Sequence, residues 1–173
     1  MDPAEPATVS SHPDADRLLQ LERRSRSEGS GLAAADLIGR WQLEQVWGKG
    51  SRQPSTISAA LLRALAARLE ITASDDPGSL RLANAVNLGA LELRFEGEGQ
   101  LRGRRPLLVF WFERLQLRLA GRVVLERALP RPEPRRLPFF ALIARARPGG
   151  PEGEGSWLAA RGRGGGLALW VDR

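Results

Sequence analysis

Apolar and charged side chains alternate with a period of two through much of the second half of the chain. Leu91, Leu93 and Phe95 alternate with Glu92, Arg94 and Glu96, and Leu115, Leu117 and Leu119 alternate with Arg114, Gln116 and Arg118. That period belongs to a strand with one face buried and the other in water. It predicts strands over Arg40 to Trp47, Leu91 to Glu96, Leu107 to Leu119, Val123 to Leu129, Phe139 to Ala144, Trp157 to Arg161 and Leu167 to Val171, within a tally of about eight. Asp75-Asp76-Pro77-Gly78, Gly97-Glu98-Gly99 and Ala120-Gly121-Arg122 read as turns, and Pro130 to Arg136 and Pro148 to Gly155 as loops. Carried backwards from Leu115, the phase of the long strand puts Leu107, Val109 and Trp111 inside, together with Glu113, whose carboxylate then needs an arginine partner. Leu108, Phe110 and Phe112 then point outward and require cover, or form an exposed docking patch.

One stretch has a different period. Ile57, Leu61, Leu62, Leu65 and Leu69 recur at helical spacing between Ser55 and Glu70, with Arg63 and Arg68 on another face. This predicts an amphipathic helix flanking the strands; a membrane-surface helix is the other reading, less suited to a polar face with only these two cations. Asp16 to Arg26 predicts a short helix and Leu32 to Ile38 a helical turn. Residues 1–14 read as disordered and Ser27 to Gly31 as a linker. The division that follows is a disordered or partly helical extension over 1–31 and one β domain over 32–173. About eight antiparallel strands close into a barrel just wide enough to be filled by side chains or to hold one small ligand. An open sandwich is the alternative.

Composition narrows the chemistry. The chain has 173 residues, enough to bury about 70% of its unfolded surface. It has no cysteine, which excludes disulfides, thiolate metal sites and cysteine nucleophiles, and its single histidine, His12, lies in the expected disordered tail. Neither a histidine triad nor a histidine metal cluster can be assembled, so the expectation is no catalytic residue, no metal, no cofactor and no enzyme activity. The net charge of +6 is uneven: residues 1–100 hold 11 basic and 14 acidic side chains, and residues 101–173 hold 15 and 6. Arginine supplies 25 of the 26 cations, as compositional bias of a genome would also produce. Arg161 to Gly166 is short, unrepeated and set between strand-like segments, so it reads as a hairpin turn rather than a nucleic-acid tract. No secretory signal or apolar run of bilayer-spanning length is apparent, and the expected location is the cytoplasm.

Two segments carry a resemblance. Leu37-Ile38-Gly39-Arg40-Trp41-Gln42-Leu43, with its glycine-any-tryptophan triplet, and Trp157-Leu158-Ala159-Ala160-Arg161-Gly162-Arg163-Gly164-Gly165-Gly166-Leu167-Ala168-Leu169-Trp170-Val171 resemble the bracketing motifs of the plastid lipid-associated proteins, the fibrillins or plastoglobulins. Glu44-Gln45-Val46-Trp47 and Ala159-Ala160 depart from the family pattern and point to a divergent cyanobacterial-type branch. The resemblance implies a lipocalin-like barrel over residues 36–173, peripheral to thylakoids or lipid bodies, binding an apolar molecule such as a carotenoid, a quinone or another prenyl lipid. By analogy with lipocalins, Gly39 and Trp41 close the barrel base, with Arg161 or Arg163 stacked on the indole. The expected ligand-binding residues are Trp41, Leu43, Leu91, Leu93, Phe95, Val109, Trp111 and Leu115, which could equally fill the interior without a ligand. The competing reading is a protein that coats a lipid surface or docks on a protein partner through Phe110, Phe112 and the basic C-terminal half. Nucleic acid is not an expected partner.

Overall fold

The computed structural model describes residues 12–55, 67–150 and 155–172. A helix, α1 (Ala15–Glu28), and a single helical turn, α2 (Ala34–Leu37), precede nine strands. These are β1 (Gly39–Trp47), β2 (Arg68–Ala73), β3 (Ser79–Leu88), β4 (Leu91–Arg102), β5 (Leu107–Leu119), β6 (Arg122–Ala128), β7 (Phe139–Ala146), β8 (Trp157–Gly162) and β9 (Leu167–Asp172). All described pairings are antiparallel, in the order β4-β3-β2-β1-β9-β8-β7-β5-β6. Strand β5 also pairs along its length with β4, so eight strands close a ring, with β6 outside it. Its first residues, Leu107 to Val109, bond β7, whereas Arg114 to Leu119 bond β6. The predicted β class and antiparallel closure are therefore present.

The core has an inner and an outer layer. Leu37, Trp41, Ile71, Leu82, Leu108 and Leu158 belong to a buried cluster fed by strands all round the ring. Outside, α1 lies on the sheet and buries Leu18 and Leu21 against Trp47, Trp157, Leu167 and Leu169. The helix starts where the Asp14 carboxylate accepts from the Arg17 amide at 2.8 Å, and ends at Gly29 with φ 87°. Its buried positions Ala15, Leu18, Leu21, Glu22 and Ser25 follow helical spacing. The extension over 1–31 thus contributes a helix to the outer core. The disorder expected for the tail falls largely on residues 1–11, outside the described residues.

Three sequence expectations are corrected. The predicted Ser55 to Glu70 helix lies mostly on residues 56–66, outside the described residues, but its last turn is strand: Arg68, Leu69 and Glu70 pair with Gln42, Trp41 and Arg40. Gly97-Glu98-Gly99 is no turn; it runs through β4, and the chain reverses at residues 103–106. A Cβ on Gly97 would sit 1.9 Å from the Trp111 carbonyl oxygen, so glycine here permits a close approach of two strands at a β-bulge. That bulge, where Glu96 faces Arg114 and Gly97 faces Phe112, skips Glu113 and reverses the inside-outside phase of β5. Leu108, Phe110 and Phe112 consequently face inward, and Val109 and Trp111 face outward against Leu137. Glu113 is exposed, and its carboxylate accepts from the Trp111 indole nitrogen at 3.2 Å.

Candidate functional site

The two ends of the ring are built differently. At one end Trp41 is fully buried and its indole nitrogen donates to the Leu37 carbonyl at 2.8 Å. Gly39, at φ 157°, runs alongside, its missing Cβ pointing at the indole from 3.4 Å. The Arg145 guanidinium lies 5.1 Å from the ring centroid and donates to the Asp36 carbonyl, while Arg147 pairs with the Asp36 carboxylate. Burial, then the neighbouring Arg147, pushes the Arg145 guanidinium below its usual range, against Asp36 and Asp172. Ile71, Leu80, Leu108, Leu142 and Leu158 belong to the buried cluster that contains this indole. This end is filled by the protein's own side chains.

The cation on Trp41 is therefore neither of those expected from the sequence. Arg161 turns outward to α1, where it donates to both Glu22 carboxylate oxygens at 2.6 and 2.5 Å. Arg163 donates to the Leu137 and Arg135 carbonyls at 2.9 Å each. Arg145 takes the position because a register shift between Leu142 and Ala144 brings it opposite Leu158, whose side chain is inside.

The other end holds a cavity of about 220 Å³ lined by Leu43, Ala67, Arg68, Leu69, Asn84, Val86, Phe110, Phe112, Phe140 and Trp170. Its wall is a chain of ring contacts. Phe95 meets Phe112 at 5.5 Å, Phe112 meets Phe110 at 5.6 Å, Phe110 stacks on Phe140 at 5.1 Å, and Phe140 meets Trp170 edge-on at 5.2 Å. Such packing offers large, rigid apolar area at low entropic cost. Arg68 at the margin is held by Glu70, Asn87 and Glu92 on the outer side of the sheet.

Of the expected ligand-binding residues, Leu43 lines the cavity, and Phe95 joins its wall through Phe112. Leu93 and Leu115 are half-buried beside Phe95 on the same sheet face, and Leu91 is exposed at a hairpin tip. Trp41 belongs to the closed end. Val109 and Trp111 lie outside the ring, where Arg131 covers the Trp111 ring at 3.9 Å. Sequence reasoning missed Val86, Phe110, Phe112, Phe140 and Trp170. One signal could have found the phenylalanines: a carboxylate in the apolar phase of β5 at Glu113 marks the place where the phase breaks.

On the outer face of β2 to β5 the charges interlock. Glu70 accepts from Arg68 at 2.9 Å and from Arg94 at 2.8 Å, and Glu96 accepts from Arg94 at 2.8 Å. Burial raises the Glu70 carboxyl, but Arg94 and Arg68 outweigh it and hold the group below the usual carboxylate range. The same carboxylates, against burial, raise Arg68 and Arg94. These side chains are committed to one another, and the lattice reads as structural. Among the described residues no three His, Asp or Glu side chains converge as a metal site, and no helix is long and apolar enough to cross a membrane. No family model, curated protein or solved structure matches the chain.

Proposed function

We propose that the protein is a non-catalytic carrier that takes one end of an apolar, lipid-like molecule into the aromatic cavity, within a lipocalin-like barrel of the plastid lipid-associated type. The observation that carries this reading is the cavity itself: a space of about 220 Å³ walled by Phe110, Phe112, Phe140 and Trp170, in a ring whose other end holds the buried Trp41. Drug-sized ligands occupy pockets of about 300–1,000 Å³. This cavity is smaller, so it suits a single ring or chain terminus, with the remainder of the molecule lying along the apolar sheet beyond it. A prenyl quinone or the end group of a carotenoid has that shape, which joins the cavity to the photosynthetic membranes implied by the sequence resemblance.

Titration with a short-chain prenyl quinone tests the reading, with quenching of tryptophan fluorescence as readout, since Trp170 lines the cavity. Saturable binding is expected. Val86→Trp, which fills the space, weakens it about tenfold or more, and Val109→Ala, on the outer face, leaves it unchanged. Absence of saturation, or equal sensitivity to both substitutions, refutes the reading.

A further inference from the structure

Beyond the cavity, β3, β4, β5 and β6 run on as a four-stranded flap that ends in two hairpin tips. The tips are tied together, the Ala120 amide donating to the Ala90 carbonyl at 2.8 Å. At the outermost row, Leu88, Leu91, Leu119 and Arg122 stand side by side in register across the four strands. Residues directly opposite one another share a sheet face. The three leucines are 68%, 38% and 51% exposed, and the short connections beside them are Gly89-Ala90 and Ala120-Gly121. A soluble hairpin tip ordinarily carries polar residues.

The rows behind the tip continue the apolar face towards the cavity. Val86, Leu93, Leu117 and Leu125 form the second row, and Phe95 and Leu115 belong to the third. Val86 and Phe112 then line the cavity itself. Residues 86–91 and 117–125 include no acidic side chain and hold Arg118 and Arg122. The nearest carboxylates are already engaged, Glu92 by Arg68 and Arg118 and Glu126 by Gln116 at 2.5 Å. Arg118 is turned to the other face, where it bonds Glu92, Glu96 and Gln116, so Arg122 is the cation in the leucine row. Bare leucines beside it, with no uncommitted carboxylate near them among the described residues, are complementary to the anionic headgroup layer of a bilayer. A second copy pairing along β6 fits less well. Val124 is bulged between the Leu117 and Arg118 pairings, and a bulge turns an edge strand away from further partners.

We propose that Leu88, Leu91 and Leu119, flanked by Arg122, seat the flap in the headgroup layer of an anionic lipid membrane, and that the apolar face behind them leads a lipid-like ligand into the cavity. The proposal rests on the carrier reading for the second half of that statement only. Membrane seating stands on the tip alone.

The test uses the full chain with vesicles of phosphatidylcholine containing phosphatidylglycerol, compared with phosphatidylcholine alone. Leu119→Trp serves as a depth probe. Sedimentation with the anionic vesicles, a blue-shifted emission from Leu119→Trp and quenching by brominated acyl chains are expected, each weakened by salt. Leu88→Ser combined with Leu91→Ser lowers vesicle partitioning about tenfold or more, and Arg122→Glu lowers it on anionic vesicles alone. A cooperative urea unfolding transition close to that of the wild type shows that each variant is folded, and short-chain quinone binding in vesicle-free solution, unchanged in all three, separates failure at the tip from failure of the carrier reading. Equal partitioning of wild type and tip variants overturns the proposal. So does a Leu119→Trp blue shift that appears without lipid and tracks a doubled mass, which would make the tip a contact between copies.

Discussion

Replacing Glu22 by glutamine probes how firmly α1 is held to the ring. The carboxylate is almost fully buried and accepts from Arg161 at 2.6 and 2.5 Å, Arg105 at 2.9 Å and Arg26 at 3.0 Å. Three cations from three parts of the chain thus converge on one anion. Removing one member of a fully buried ion pair costs about 3–5 kcal/mol. Arg161, Arg105 and Arg26 are 21%, 26% and 56% exposed and regain water when the charge is lost, so the expected destabilisation is about 2 kcal/mol near neutral pH. The pH dependence adds a signature that packing alone does not give. Burial raises the Glu22 carboxyl, but Arg161 and then Arg26 outweigh it, leaving the folded-state value below 4.5. A depressed carboxylate contributes stability that is full above its unfolded value and is lost as pH falls through its folded value. The difference between wild type and Glu22→Gln, measured by urea unfolding, is therefore constant down to about pH 5 and shrinks below about pH 4.5. Glu70 and the other carboxylates titrate in both proteins and cancel. A difference that stays constant into strong acid, or one under about 0.5 kcal/mol at neutral pH, refutes the account.

Two further substitutions test the strand register and the closed end. Gly97→Ala places a methyl against the Trp111 carbonyl and 2.7 Å from the Phe112 Cα, both backbone atoms that cannot rotate away. A loss of about 3 kcal/mol or more is expected in thermal or urea unfolding, whereas Gly164→Ala, with nothing within 4 Å, stays within about 0.5 kcal/mol. A double-mutant cycle of Trp41→Phe and Arg145→Met gives a coupling of about 0.5–2 kcal/mol, while Trp41→Phe with Arg163→Met is additive. Coupling to Arg163 instead would restore the stacking expected from the sequence.

The residues that misled the sequence reading share one physical cause. Period-two alternation identifies a strand wherever it is unbroken, and β5 runs over the very residues predicted, Leu107 to Leu119. Alternation fixes which residues share a face only until a bulge adds one residue, after which every side chain changes sides. The bulge opposite Gly97 exchanges Val109 and Trp111 for Phe110 and Phe112 at the cavity. The shift between Leu142 and Ala144 likewise accompanies Arg145 in its place on Trp41. Neither event alters composition or mean periodicity; the first leaves a single residue that violates its phase, Glu113, and the second, in a segment apolar on both faces, leaves none. Gly97 was visible too, but a glycine between charged residues reads as a turn unless the opposing backbone is known to lie where a Cβ would stand. Strand β2 was hidden differently. Leu65 and Leu69 keep helical spacing across its start, and only pairing with β1 and β3, whose partners lie up to 32 residues away in sequence, selects the extended form. Local pattern therefore specifies the ring, while the lining of its cavity depends on where long-range pairing places two irregular residues.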